Sequence, residues 1–205
     1  MPLIRPDDPA ISIPLRIAQD DSLTGARFGG RPPAGILQHA PSAATTYFAT
    51  IPLAEAPVIE MSVFLTRTLV EMMDVMGELW TNDDPVIVIS HPPSKRGESE
   101  TMASSYSSHA IILGEPRSDT AIYEGDLVVL SDHKIGGKPY FVSGDRGLED
   151  AVLQCLDQGF FQAVQFDFPG PEDAGDEEWP FGDGVFHVLA RPPFGKGDFR
   201  SFWEF

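Results

Sequence analysis

Apolar residues in this chain fall in short runs bounded by Pro and Gly: Ile11 to Ile17, Thr46 to Ile51, Val58 to Leu65, Val86 to Ser90, Ala110 to Leu113, Asp126 to Leu130, Phe160 to Phe168 and Val185 to Ala190. Their lengths and their alternating or continuous apolar character predict strands. Asp183-Gly184, directly before the last run, predicts a tight hairpin in which Gly takes the φ > 0 position without a steric cost.

Two stretches follow a helical period instead. Leu69, Met72, Met73, Met76, Leu79 and Trp80 share one face at spacings of three and four, with Glu71, Asp74 and Glu78 elsewhere. Leu148, Val152, Cys155 and Leu156 repeat that pattern within Gly147 to Gln158. Both read as amphipathic covers for a sheet, the methionine stripe being core packing rather than a binding groove. Pro92 to Ser108 is rich in Pro, Ser and charged residues and predicts a mobile loop, 92–108, between an N-terminal part, 1–91, and a C-terminal part, 109–205.

The two parts are faintly alike. Phe28-Gly29-Gly30-Arg31-Pro32, then the strand Tyr47 to Leu53, parallels Ile135-Gly136-Gly137-Lys138-Pro139, then the strand Phe161 to Phe168. The expected fold class is therefore α+β, mainly antiparallel sheet with a few flanking helices, and a duplicated β unit would explain the parallel. Gly-Gly-x-Pro turns are common, so a chance match is the rival reading.

The C-terminal part resembles the YwqG-like family of bacterial proteins of unknown function. The resemblance rests on His133-Lys134-Ile135-Gly136-Gly137-Lys138-Pro139, on Gln165-Phe166-Asp167, on Trp179 to Phe186 and on Asp198-Phe199-Arg200-Ser201-Phe202-Trp203. In the N-terminal part, Thr50-Ile51-Pro52-Leu53 stands where relatives would carry a Gln-x-Asp strand. The resemblance implies a duplicated, mostly antiparallel β architecture with no established activity. Some relatives lie beside toxins of interbacterial competition, type VI secretion included, and look like immunity proteins.

Charge narrows the function classes. Of 205 residues, 14 are Lys or Arg and 31 are Asp or Glu, a formal net charge of −17. Such a field repels phosphate backbones and anionic membranes, and it attracts a basic protein. Nucleic acid and membrane are thus not expected partners. A single cysteine, Cys155, rules out an internal disulfide and fits a reducing compartment. The first residues carry no apolar leader pattern, and a cytoplasmic location is the expectation.

Catalytic chemistry finds few entry points. His39, His91, His109, His133 and His187 stand singly, without the short spacing of a metal motif. His187 reads as a partly buried strand histidine satisfied by hydrogen bonds, and His133 as a residue that orders the Gly-Gly turn. Cys155, on an apolar helix face, reads as inert. No nucleophile elbow, phosphate loop or dinucleotide fingerprint is present, so no catalytic residue, metal or cofactor is assigned.

From Gly147 through Ala190 the chain has no Lys or Arg. Within that block Asp167, Glu172, Asp173, Asp176, Glu177, Glu178 and Asp183 surround Trp179, the composition of an interface directed at a basic partner. These eight residues are the expected partner-binding site. The expected function is that of an immunity protein that neutralises a cognate basic toxin, a nuclease being the natural case. The alternatives are a metal- or small-molecule-dependent enzyme whose ligands converge only in three dimensions, and a self-assembling protein such as a homodimer.

Overall fold

The structure, a computed structural model, describes residues 9–18, 25–36, 45–55, 58–66, 69, 78–81, 85–100, 102–119, 122–124, 127–129, 133–167 and 184–204. Five strands come from the first part: β1 (Ile11–Ala18), β2 (Arg27–Phe28), β3 (Thr45–Glu55), β4 (Val58–Thr66) and β5 (Val86–His91). The second part supplies β6 (His109–Leu113), β7 (Arg117–Ser118), β8 (Ile122–Glu124), β9 (Leu127–Val129) and β10 (His133–Gly136). It then continues with helix α1 (Arg146–Asp157), β11 (Phe161–Phe166), β12 (Val185–Ala190) and β13 (Phe199–Glu204). Strand dominates as expected, but helix is scarcer: α1 is the one α-helix among the described residues.

Every pairing in the main sheet is antiparallel, and the strand order is β13-β12-β11-β10-β1-β6-β2-β3-β4-β5, with β7 added against β1. Two four-stranded meanders, β2 to β5 and β10 to β13, therefore flank a central pair. Each central strand serves the opposite meander, since β1 pairs with β10 and β6 with β2. Exchanging β1 to β5 with β6 and β10 to β13 maps the order onto itself.

The outer edges approach one another. Trp80 and Ser201 of β13 exchange backbone hydrogen bonds of 2.8 and 3.1 Å, and Ser90 of β5 donates to the Phe194 carbonyl at 2.6 Å. The sheet is thus nearly closed into a barrel. Its interior is aromatic, because alternate strand residues point to one face. Phe48 makes edge contacts with Phe28 at 5.0 Å from its own half, and with Phe166 at 5.3 Å and Phe186 at 5.9 Å from the other.

Helix α1 starts where Asp145 accepts from the amides of Gly147 and Leu148, at 2.8 and 3.3 Å, satisfying donors that no helical carbonyl can reach. Leu148, Val152 and Cys155, spaced four and three apart, pack on Phe160, Leu189 and Phe202 on the outside of the barrel. The helix gives way at Gly159, whose φ of +85° favours glycine.

Two expectations meet a different arrangement. Trp80, placed by periodicity at the end of a helix, is a strand-like bridge residue, while residues 70–77 lie outside those described. Two-residue β2 and the His-Lys-Ile-Gly strand β10 are too short to show an alternating pattern. Residues 92–108 contain no named strand but are held down: Tyr47 N donates to the Met102 carbonyl, Gly30 N to that of Tyr106 and Ser104 N to that of Gly30, all at 2.8–2.9 Å. The composition that predicts mobility leaves out these backbone anchors, and Tyr106 adds its buried ring.

Candidate functional site

Polar side chains are buried in two rows on the outer face of the sheet, one per meander. In the first, Arg27 stands opposite Thr50 and Thr50 opposite Ser62, with His91 two residues beyond Ile89, the partner of Ser62. In the second, Lys134 stands opposite Gln165 and Gln165 opposite His187, with Glu204 two residues beyond Phe202, the partner of His187. The rows occupy corresponding places. Each begins two residues before a glycine pair with φ between +65° and +75°, and each crosses a register shift in the following strand, at Tyr47/Ala49 and at Gln162/Val164.

The first row is a closed hydrogen-bond chain. Tyr47 Oη, Thr50 Oγ1, Ser62 Oγ and His91 Nε2 follow one another at 2.7, 2.7 and 2.8 Å. Its direction can be assigned. His91 Nδ1 lies 2.8 Å from the Pro92 carbonyl, which can only accept, so Nδ1 carries the proton. Burial holds the His91 pKa below its usual value, so the ring is neutral and Nε2 accepts from Ser62. Ser62 then accepts from Thr50, and Thr50 from Tyr47, whose phenol burial pushes up to about 12.

Glu60 completes the surroundings of this chain. Its Oε2 lies 3.9 Å from His91 Nδ1 and accepts from Ser94 N at 3.2 Å, and burial raises its pKa. Arg27, fully buried, donates to the carbonyls of Gly25 and Ser94 at 3.0 and 3.3 Å. Ser62, His91 and Glu60 have the residue types of a hydrolytic triad. Ser62 is 0% exposed, however, with its oxygen enclosed between Thr50 and His91, so a substrate carbonyl has no approach to it.

The second row is open. Lys134 is matched by Asp119 at 2.9 and 3.0 Å and also donates to the Lys138 carbonyl at 2.7 Å. Burial pulls the Lys134 pKa down despite that partner. Burial works in the opposite direction on Asp119, but hydrogen bonds from Lys138 and Lys134 outweigh it and keep its carboxyl low. His187 is fully buried and stacks on Phe202 at 4.3 Å. Its ring nitrogens, both Gln165 amide atoms and Glu204 Oε1 lack hydrogen-bond partners, with His187 Nε2 and Glu204 Oε1 3.7 Å apart. The expected hydrogen bonds to His187 are thus absent, since Glu204 Oε1 stops 3.7 Å from its Nε2. Burial pushes the His187 pKa down to about 3, with Lys134 adding to the shift, and burial raises that of Glu204.

Of the eight residues expected to contact a partner, Asp167 alone is described. It follows β11 and is 7% exposed, turned inward rather than outward, and its amide donates to His133 Nδ1 at 2.9 Å. His133 therefore ties β10 to the end of β11, beyond ordering its own turn. Glu172, Asp173, Asp176, Glu177, Glu178, Trp179 and Asp183 lie outside the described residues. The described part of the base-free block covers α1 after its first residue, Arg146, with β11 and β12, and the outer side of α1 exposes Asp150, Leu153, Gln154 and Asp157, with Leu153 46% exposed. Cys155 faces inward, its thiol pushed up by burial.

Sequence reasoning missed the row residues Arg27, Thr50, Ser62, Gln165 and Glu204. For Thr50, Ser62 and Gln165 the available signal was a polar residue inside an apolar strand run, while Arg27 and Glu204 lie outside those runs. Among the described residues, no group of three or more His, Cys, Asp or Glu side chains could hold a metal, and no helix is long and apolar enough to cross a membrane. Compared with family models, curated proteins and solved structures, the chain matches none.

Proposed function

We propose that this protein binds a basic protein partner through an acidic surface, and that the partner is a bacterial toxin which it neutralises. The observation that carries the reading is the net charge of −17, together with the stretch Gly147 to Ala190 that holds no Lys or Arg. One-signed charge of this kind speeds encounter with a cationic partner and penalises anionic ones. The exposed acids Asp150 and Asp157 flank the exposed Leu153 on α1, which offers an apolar contact inside the field. Glu172, Asp173, Asp176, Glu177, Glu178 and Asp183 would extend that surface, with Trp179 as its anchor.

An inhibitor of this kind needs no chemistry of its own. The matched polar rows and glycine pairs support a duplicated β unit. The test is co-expression with the products of the neighbouring reading frames, one of which the reading expects to be a basic toxin. The reading expects the two proteins to purify together and the cells to survive, and survival without complex formation would refute it.

A second reading, an enzyme, rests on the residue types of Ser62, His91 and Glu60 alone, and the burial of Ser62 stands against it. A fluorophosphonate probe tests it directly. Covalent labelling at Ser62 would make the protein a hydrolase, and its absence leaves the chain of hydroxyls as scaffolding.

A further inference from the structure

The chain between β10 and α1 crosses the outside of the second meander directly above the open polar row. Its path is fixed at both ends. At β10, Lys138 N donates to Asp119 Oδ2 at 2.7 Å, and Tyr140 lies over the Lys134 ammonium, 3.9 Å from ring centre to nitrogen. At β13, Phe141 stacks on Phe202 at 6.1 Å, and Ser143 donates to Glu204 Oε2 through its amide at 3.1 Å and its hydroxyl at 2.8 Å. Gly137 (φ +75°) and Gly144 (φ +66°) bound the crossing, and an added Cβ on Gly144 would meet nothing within 4 Å. The segment is held by a few polar and ring contacts to Asp119, Lys134, Phe202 and Glu204, and the open, positive-φ Gly144 supplies the backbone freedom for a hinge at its C-terminal end.

Under this crossing lie Gln165, 1% exposed, with His187 and Glu204, both 0% exposed. Together they hold five side-chain atoms without a hydrogen-bond partner: two on Gln165, two on His187 and one on Glu204. Buried polar atoms are costly in that state, and a ligand that satisfies them gains what the folded protein otherwise forgoes.

We propose that residues 138–143 are a hinged strap over a binding site for a guanidinium group, formed by Gln165, His187 and Glu204. The chemistry of the set selects that group. Three of the five atoms, Glu204 Oε1, Gln165 Oε1 and the unprotonated nitrogen of His187, are acceptors that a donor-rich ligand satisfies, while Gln165 Nε2 and the protonated His187 nitrogen are donors that it leaves to water. The Lys134 charge is already matched by Asp119, and so the Glu204 carboxylate is the charge in the row that lacks a counterpart. A flat cation suits the layer of parallel rings that His187 and Phe202 make, with an interplanar angle of 6°. Two carboxylates latch the strap, and Glu204 belongs to both the latch and the site. Ligand entry and strap opening are thereby coupled.

The guanidinium could belong to a free small molecule or to an arginine side chain, and the probes separate these sources. Agmatine serves for the first and acetyl-Gly-Arg-Gly-amide for the second, each in the millimolar range with butylamine as control. Thermal melting should rise by about 3–6 °C at tenfold the Kd with at least one guanidinium probe, and hydrogen exchange at Lys138 and Ser143 should slow. Gln165→Leu should remove the shift. Glu204→Gln, nearly isosteric, should weaken it and covers the case in which the leucine variant does not fold. No shift with either guanidinium probe, an equal shift with butylamine, or a shift that survives both substitutions overturns the proposal and leaves ordered water alone as what those atoms bind.

Discussion

His187→Phe separates the cost of the buried imidazole from everything else in the second polar row. In the folded protein this ring stays neutral down to about pH 3, whereas in the unfolded chain it takes up a proton below about 6.5. Between those values the unfolded state binds more protons, so stability is complete above pH 6.5 and is lost as pH falls through the window. Each pH unit is worth about 1.4 kcal/mol, which gives about 3 kcal/mol by pH 4.

Neighbouring groups have their own signs. Burial raises Glu204, so its cost is carried at neutral pH and relieved on acidification, and His91 acts in the same sense as His187. Both remain in the variant and largely cancel in the comparison. Phenylalanine keeps the ring stacked on Phe202, and any packing cost it brings is independent of pH. Urea unfolding at about pH 7.5 and about pH 4 should therefore show the natural protein losing about 3 kcal/mol more than the variant. Equal losses in the two proteins would refute the idea that His187 is held neutral by burial.

Two further substitutions probe other parts of the fold. Ser62→Ala cuts the hydroxyl chain and leaves Thr50 Oγ1 and His91 Nε2 each short of a buried partner, which should cost about 2–4 kcal/mol in denaturant unfolding. A loss below about 0.5 kcal/mol would mean that the chain is not a structural element. Gly137→Ala places a Cβ 2.4 Å from an Asp119 carboxylate oxygen in a backbone with φ +75°, and should lower stability by about 2 kcal/mol or more. An unchanged melting temperature would contradict that close approach.

What could be read from the sequence follows the length of each element. The runs Val58 to Leu65, Val86 to Ser90 and Val185 to Ala190 meet β4, β5 and β12 within a residue at each end, because four to six apolar, mostly β-branched or aromatic residues directly after Pro57, Pro85 or Gly184 leave little choice. Helix α1 is equally legible from Leu148, Val152 and Cys155. Strands β2 and β10 are not, since two and four residues carry no period, and only pairing across the barrel makes them strands. The exchange of β1 and β6 between meanders is a matter of long-range pairing, beyond any local pattern. The polar rows stayed hidden for a related reason. Lys134, Gln165, His187 and Glu204 are far apart in sequence, and the register that aligns them follows from the antiparallel ladder. Asp167 stands in an acidic run that reads as solvated, whereas the residue is buried where it follows β11.

Charge-driven docking is tested most directly by the ionic-strength dependence of association with the basic toxin, measured by stopped flow. The natural protein should associate fast at low salt and slow steeply as salt is added. Replacing Asp150, Asp157, Glu177 and Glu178 together with lysine should cut the low-salt rate by about tenfold or more and flatten the slope. A rate and slope unchanged by those four reversals would contradict the account.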